Sequence, residues 1–119
     1  MNILCFGQTG QVAIELARQA YLIGATVDCL DRERADLTAP DACAALVAAT
    51  DADIIVNAAA YTAVDAAETD GATAQTVNGD SPGAMARAAA ARDLPFLHIS
   101  TDYVFDGAGT RPWREDDPV

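Results

Sequence analysis

The first residues suited to chemistry form the segment GQTGQVA, between a predicted buried strand and a predicted helix. Gly7 and Gly10 allow a ligand to come close to the backbone, and the helix that follows offers free N–H groups and the positive end of its dipole. Such a loop suits a pyrophosphate, and Ala13 stands where a third glycine would serve helix packing. The spacing is GxxGxxA rather than GxGxxG, and a plain turn is the alternative, but the strand–loop–helix context favours dinucleotide binding.

Charged residues follow the second predicted strand. Asp31 ends that strand, where an acid can bind the ribose hydroxyls of an adenosine, although a solvated loop acid is the alternative in a chain with 18 Asp and Glu residues. Arg32 and Arg34 stand beside it, and an arginine at this place accommodates a 2′-phosphate. NAD and NADP therefore both remain open. Asp36 and Leu37 are a second candidate contact for the adenosine, with the leucine offering an apolar surface to the base.

Two more segments stand at predicted strand ends. In NAAAY, residues 57–61, the small side chains either leave room for a ligand or allow close packing of a helix, and the spacing alone leaves both open. In HISTDYVFDG, residues 98–107, hydroxyls and an acid follow an apolar run. His98 is the only histidine, and its place within the strand predicts a packed, hydrogen-bonded core residue rather than a catalytic one.

A sheet must position these segments. Apolar runs predict strands at residues 2–6, 25–30, 53–57 and 95–100, and helices are predicted at 11–23, 40–49, 64–69 and 81–92. The first helix is expected to bury one face, formed by Val12, Leu16, Ala20 and Ile23. Ser81 is expected to cap the last helix. Residues 34–37 indicate a short extra strand. Strands alternating with helices predict parallel pairing with right-handed crossovers. We therefore expect an α/β fold, a Rossmann-like doubly wound parallel sheet with helices on both faces, in which residues 1–119 form one NAD(P)-binding domain.

Composition narrows the classes of partner and compartment. The net charge is −11, which argues against a nucleic-acid partner, and all seven basic residues are arginines. The apolar runs are too short to span a bilayer, and the N-terminus has no signal-peptide pattern. The three cysteines lack CxxC spacing, which indicates buried, reduced thiols. We expect a cytoplasmic protein with no membrane partner and, lacking a His/Cys constellation, no metal site.

Four segments in this order resemble the extended short-chain dehydrogenase/reductase family, and within it the dTDP-4-dehydrorhamnose reductases. They are NILCFGQTGQVAIEL, DIIVNAAAYTAVDAAE, the VN at positions 77–78, and HISTDYVFDGAGTRPWREDDPV. The resemblance covers the whole chain, and NAAAYTAVDAAE followed by STDYVFDG is its most specific part. It implies reduction of the 4-keto group of a dTDP-6-deoxy sugar, dTDP-4-dehydrorhamnose to dTDP-L-rhamnose, by hydride from NADPH or NADH. It also implies a homodimer for the full-length protein.

The resemblance implies roles for individual residues. The pyrophosphate would be held by Gly7, Gly10, Gln11 and Val12, and the adenosine by Asp31, Asp36 and Leu37. The other half of the cofactor would be lined by Ala60, Tyr61 and Thr62. Thr101 would be the catalytic hydroxyl and would bind the dTDP-sugar together with Asp102. A hydroxyl donor suits this reaction, because hydride addition develops negative charge on the ketone oxygen.

The proton donor of the family is the tyrosine of a Tyr-x-x-x-Lys pair, and this pair is absent. Four positions after Tyr21, Tyr61 and Tyr103 come Ala25, Asp65 and Gly107, and the chain has no lysine. We therefore expect the 119 residues to be the N-terminal piece of a longer reductase, without its last strands and sugar-binding domain, and to be inactive alone. The alternatives are a non-catalytic NADP-binding regulatory subunit like that of methionine adenosyltransferase, and a nucleotide-sugar epimerase or dehydratase.

Overall fold

Four parallel strands form the sheet in the computed structural model, which describes residues 1–119. They are β1 (Asn2–Phe6), β2 (Thr26–Leu30), β3 (Ile54–Asn57) and β4 (Phe96–His98), in the order β2-β1-β3-β4. Phe6, the last residue of β1, stands opposite Leu30 of β2 and Asn57 of β3. In the sheet β2 lies on one side of β1 and β3 on the other, so the direction in which strands are added reverses after β2. Such a reversal opens a crevice at the carboxyl ends of the strands.

Helices cover both faces of this sheet. The five α-helices are α1 (Gln11–Gln19), α2 (Pro40–Ala49), α3 (Val64–Ala67), α4 (Gly71–Gln75) and α5 (Ser81–Ala90). On one face α1 packs its Ala13 against Ile3 and Cys5, which point the same way from β1. On the other face, α2 and α5 bury Val47 and Met85 against the alternate residues of the strands. The predicted Rossmann-like α/β fold is therefore confirmed. No helix is both long enough and apolar enough to cross a membrane.

The first helix is shorter than predicted, and its buried face is different. After Gln19 the chain continues as a 3₁₀ turn, Ala20–Ile23, which ends at Gly24 with φ 67°. Ala13 and Ala20 are buried, whereas Val12 is 44% and Ile23 69% exposed. The expected apolar face is thus partly wrong. Small alanine side chains turned to the sheet let the helix lie close to it, and the larger residues remain outside.

The extra strand expected at residues 34–37 does not form. Arg34 donates its backbone N–H to the Oδ1 of Asp31 at 2.9 Å, and Ala35 donates its own to the Asp31 carbonyl at 2.9 Å. An aspartate that accepts backbone N–H groups from the residues just after it closes a turn. The backbone of this segment therefore bends back instead of extending beside β2.

Ser81 does not cap the last helix. A π-helix, Thr76–Asp80, leads directly into α5, so Asp80 already has helical φ and ψ. The buried Ser81 hydroxyl instead donates to the Leu37 carbonyl oxygen at 2.6 Å, which joins α5 to the segment before α2. Arg92 makes a second such link, because its Nη1 donates to the carbonyl oxygens of Val47 and Thr50 at 2.8 and 2.6 Å.

Candidate functional site

The glycine-containing loop between β1 and α1 lies against the end of β3. Gly7 has φ 112°, a conformation that L side chains rarely adopt, and its N–H donates to the Leu30 carbonyl at 3.0 Å. A Cβ at this position would lie 3.3 Å from both the carbonyl carbon of Ala58 and the nitrogen of Ala59. Backbone conformation and close approach therefore both require glycine here.

The N-terminus of α1 is open. Gly10 is the N-cap, and no side chain caps the helix. The N–H groups of Gln11, Val12 and Ala13 belong to the first turn, where a helix provides no backbone partner. A Cβ on Gly10 would meet only the Ala58 carbonyl oxygen, at 3.8 Å, so protein packing leaves the space above this residue free. Free N–H groups beside open space can bind an anion.

A cavity of about 350 Å³ adjoins the loop at the carboxyl ends of β2 and β3. Three parts of the chain build it: the turn after β2, the segment after β3, and the region of α4 and the π-helix. Its lining residues are Leu30, Asp31, Arg32, Ala35, Asp36, Leu37, Thr38, Ala59, Ala60, Tyr61, Asp70, Thr73 and Val77. The set includes the predicted residues Asp31, Asp36, Leu37, Ala60 and Tyr61. The predicted residues Gly7 and Gly10 belong to the neighbouring loop, and Gln11 and Val12 belong to the first turn of α1. Thr62, Thr101 and Asp102 do not line the cavity.

Carboxylates dominate the charge of this cavity. Its lining contains three aspartates and a single cationic side chain, Arg32. The backbone N–H of Thr38 donates to the Oδ1 of Asp36 at 2.9 Å, and this bond holds the pKa of Asp36 below its ordinary value. The Nε of Arg32 lies 3.7 Å from the Oδ2 of Asp36. Asp36 is therefore ionised at neutral pH. No group of His, Cys, Asp and Glu side chains is arranged to hold a metal ion.

Two asparagines hold the backbone after β3. Asn78 accepts the N–H of Tyr61 at 2.8 Å and donates to the carbonyl of the same residue at 3.0 Å. Asn57 is fully buried, and its Oδ1 accepts the N–H of Ala59 at 3.2 Å. Its amide nitrogen then faces the Nδ1 of His98 at 3.1 Å. Because an amide nitrogen only donates, His98 Nδ1 is the acceptor and the ring proton is on Nε2.

Asn78 and several lining residues come from a part of the chain whose helices the sequence does not predict. The segment GATAQTVNGD forms α4 and the π-helix, although glycine, threonine and asparagine have low helix propensity. The resemblance contains Asn78 but gives it no role. A π-helix within a longer helical run often marks a functional site. The π-helix thus points to Asn78 and its neighbours, to which the sequence gives no role.

The residues after β4 stand at the same edge of the sheet. Thr101 is exposed, and its Oγ1 accepts the N–H of Tyr103 at 3.2 Å. Its hydroxyl proton has only a long contact, 3.5 Å, with the Oδ1 of Asp102. His98 is hydrogen-bonded as predicted but is exposed rather than in the core, because β4 is an edge strand. Desolvation of its ring lowers the pKa of His98 below the ordinary value of 6.5.

Known proteins match this chain along its whole length. A family model described as RmlD substrate binding domain matches residues 1–119. The dTDP-4-dehydrorhamnose reductase of Burkholderia thailandensis is 50% identical over 119 residues, which are 100% of this chain and 40% of that protein. The reductase of the same name from Escherichia coli K12 is 45% identical over 120 residues, covering 98% of this chain and 40% of that protein. The chain thus spans about 40% of the length of these curated relatives.

Solved structures confirm the fold and the resemblance. A crystal structure of a dTDP-4-dehydrorhamnose reductase from Clostridium acetobutylicum matches with a TM-score of 0.91 and 34% identity, over 100% of this chain and 42% of that one. The corresponding reductase from Bacillus anthracis, in complex with NADP, matches with a TM-score of 0.79 and 28% identity, over 89% of this chain and 38% of that one. Since the family model extends over every residue, the chain belongs to the family described as RmlD substrate binding domain.

Proposed function

We propose that this chain binds NADPH or NADH and forms the nucleotide-binding part of a dTDP-4-dehydrorhamnose reductase. The observation that carries the proposal is the position of the glycine-containing loop beside a cavity at the switch point of the sheet. There the uncapped start of α1 and the Gly7 loop adjoin a cavity lined by Asp31 and Leu37. The names of the relatives, and the NADP in the Bacillus anthracis structure, support the same cofactor and reaction.

The residues present fit a dinucleotide. The open space above Gly10 and the free N–H groups of the first turn of α1 suit a pyrophosphate. Next to it, the half-buried Asp31 offers a carboxylate to a ribose and the buried Leu37 offers an apolar wall to a base. In this assignment the pyrophosphate is held by Gly7, Gly10, Gln11 and Val12, the adenosine by Asp31, Asp36 and Leu37, and the other half by Ala60, Tyr61 and Thr62. When bound, the cofactor supplies the hydride that reduces the ketone.

Thr101 would act on the ketone oxygen. The N–H of Tyr103 occupies one lone pair of its Oγ1 and orients the hydroxyl, while the hydroxyl proton is free of any short hydrogen bond. A donor aimed at this oxygen stabilises the transition state more than the ketone, because the negative charge grows as hydride arrives. Asp102, next along the chain, would contact the dTDP-sugar. These assignments rest on the resemblance together with the position of Thr101 at the carboxyl edge.

The proton for the reduced oxygen needs another donor. The Tyr-x-x-x-Lys pair of the family is absent from these 119 residues, which include no lysine. We therefore expect the chain to bind the cofactor without reducing the sugar, and a longer form with the pair to do both. In that longer form we place the enzyme in the cytoplasm as a homodimer.

Calorimetric titration of the 119-residue chain with NADPH and NADH tests the proposal. Ala60→Trp puts a large side chain into the cavity, and Ala90→Trp, at the exposed end of α5, is the matched control. We expect saturable binding to the parent chain and the control. Binding should be weakened by about tenfold or more in Ala60→Trp, because the indole fills space that the cofactor would occupy; a tenfold loss corresponds to about 1.4 kcal/mol. A folded parent chain that binds neither cofactor at millimolar concentration would refute the proposal.

A further inference from the structure

We propose that Cys5 and Cys29 form an oxidation site, in which a peroxide converts the two thiols into a reversible disulfide between β1 and β2. The sequence gives no reason to pair these cysteines, because they lack CxxC spacing and lie in different strands. The fold brings them together. This inference goes beyond the proposed function and does not depend on it, since the disulfide can be detected without any cofactor.

The two cysteines stand directly opposite each other in the parallel sheet. Cys5 of β1 is the register partner of Cys29 of β2, and both side chains pack in the apolar cluster beneath α1. Neighbouring strands are about 4.7–4.9 Å apart, which is within the Cα separation of about 4.4–6.8 Å that a disulfide requires. The backbone therefore already holds the two residues at a distance from which their sulfurs can bond.

No strong interaction holds either thiol away from the other. The Sγ of Cys5 lies 3.9 Å from the carbonyl oxygen of Phe6, and the Sγ of Cys29 lies 4.0 Å from that of Ala13. A thiol is a weak hydrogen-bond donor, and contacts of this length restrain it little. Both cysteines are free thiols in the structure, so each sulfur can turn toward the other.

The two thiols differ in how easily they react. Cys5 is fully buried, and this burial, with a smaller part from the adjoining Cys29, raises the pKa of Cys5 to about 12. Cys29 is half-buried, so a small oxidant such as hydrogen peroxide reaches it first. Peroxide transfers one oxygen to the Cys29 sulfur, which gives a sulfenic acid and one water. The Cys5 sulfur then attacks the Cys29 sulfur, the Cys5 proton leaves with the displaced hydroxyl as a second water, and the S–S bond forms.

This disulfide should be easily reduced. The Cβ atoms of a disulfide lie about 3.5–4.5 Å apart, which is closer than the spacing of the strands, so its closure draws β1 and β2 together. Such strain makes a disulfide more reducible, and a labile disulfide is reversible. The cross-link would join the strands two residues before Gly7 and two before Asp31, directly beneath the candidate nucleotide site.

Tryptic peptide mapping tests the pair, because cleavage at arginine places the three cysteines in separate peptides, residues 1–18, 19–32 and 35–87. The folded chain is treated with hydrogen peroxide, the remaining thiols are alkylated, and the digest is analysed by mass spectrometry without reduction. We expect peptides 1–18 and 19–32 to be joined, with two hydrogens fewer than the free peptides, and dithiothreitol to separate them. Cys43 should remain a free thiol that is alkylated, since it is buried on the opposite face of the sheet.

Three single variants and one condition serve as controls. Cys43→Ala should form the same cross-link as the parent chain, whereas Cys5→Ala and Cys29→Ala should not form it. In Cys5→Ala, peroxide should carry Cys29 on to the sulfinic acid, because no partner thiol intercepts the sulfenic acid. In urea the cross-linking should lose its selectivity and also involve Cys43, because the unfolded chain holds no pair together.

Three results would overturn the inference. The first is oxidation of Cys29 to the sulfinic acid in the folded parent chain without the cross-link between peptides 1–18 and 19–32. The second is a mixture of cysteine pairings in the folded chain equal to that in urea. The third is resistance of both thiols to peroxide at concentrations that oxidise free cysteine. None of these results involves NADPH or NADH, so each leaves the proposed function untouched.

Discussion

The hydrogen bond from Ser81 to Leu37 makes a quantitative prediction, because it joins two buried groups 44 positions apart. The Leu37 carbonyl receives no backbone N–H, so the Ser81 hydroxyl, at 2.6 Å, supplies its hydrogen bond. Ser81→Ala removes the donor and leaves a buried carbonyl unpaired, a defect that costs about 1–3 kcal/mol. We expect the free energy of unfolding, measured by urea denaturation, to fall by that amount.

The variant Ser81→Asp distinguishes the hydrogen bond to Leu37 from the helix-capping role that the sequence predicts for Ser81. Aspartate is as good a cap as serine, so a capping role would leave the stability nearly unchanged. Beside the Leu37 carbonyl, however, a carboxylate can only accept hydrogen bonds and would be buried unpaired, at a cost of about 3–5 kcal/mol. Ser100→Ala is the matched control, because the other serine of the chain is exposed and should change stability by less than about 0.5 kcal/mol.

The order of stability is therefore expected to be Ser100→Ala close to the parent chain, then Ser81→Ala, then Ser81→Asp. A Ser81→Asp chain as stable as the parent would refute the cross-link and restore the capping interpretation. A Ser81→Ala chain within about 0.5 kcal/mol of the parent would show that the Leu37 carbonyl finds another partner.

Two further predictions concern stability. Arg92→Met keeps the apolar part of the side chain but removes the donor to the Val47 and Thr50 carbonyls at the end of α2. We expect the free energy of unfolding, measured in urea, to fall by about 1–3 kcal/mol. Arg87→Met, at an exposed position of α5, is the control. The pKa of His98 is lowered in the folded chain, so the unfolded chain binds the proton more readily. The contribution of neutral His98 to stability is therefore complete above the ordinary pKa of 6.5 and decreases as the pH falls below it. His98→Gln should lose less stability than the parent between neutral and mildly acidic pH, and equal losses would contradict this.

The sequence predicts the elements whose signals are local. The bounds of α2 match the prediction at Pro40 and Ala49, because proline fits the first helical turn and the alanine-rich run has no competing signal. The alternation of strand and helix likewise leads to the observed parallel sheet. Five residues of the cavity are also indicated by the sequence: Asp31, Asp36 and Leu37 by their place after β2, and Ala60 and Tyr61 through the resemblance.

Contacts between distant residues could not be predicted in this way. The role of Ser81 depends on the π-helix, which removes the helix start that serine and proline indicate. The pairing of Arg34 with Asp28 depends on where Asp28 lies after the turn closes. The burial of Ala13 rather than Val12 depends on how closely α1 approaches the sheet, since both residues are apolar and adjacent. Each of these outcomes is decided by packing rather than by local pattern.

The most direct test of a dinucleotide site at the carboxyl edge of the sheet is an amide chemical-shift map of the isotope-labelled chain during titration with NADPH. We expect the largest changes at Gly7, Gly10, Leu37 and Ala60, which surround the loop and cavity. Residues of the groove at the opposite edge, such as Thr26 and Ala52, should not change. Changes concentrated around that opposite groove, or none at all in a folded chain at saturating NADPH, would contradict the proposed site.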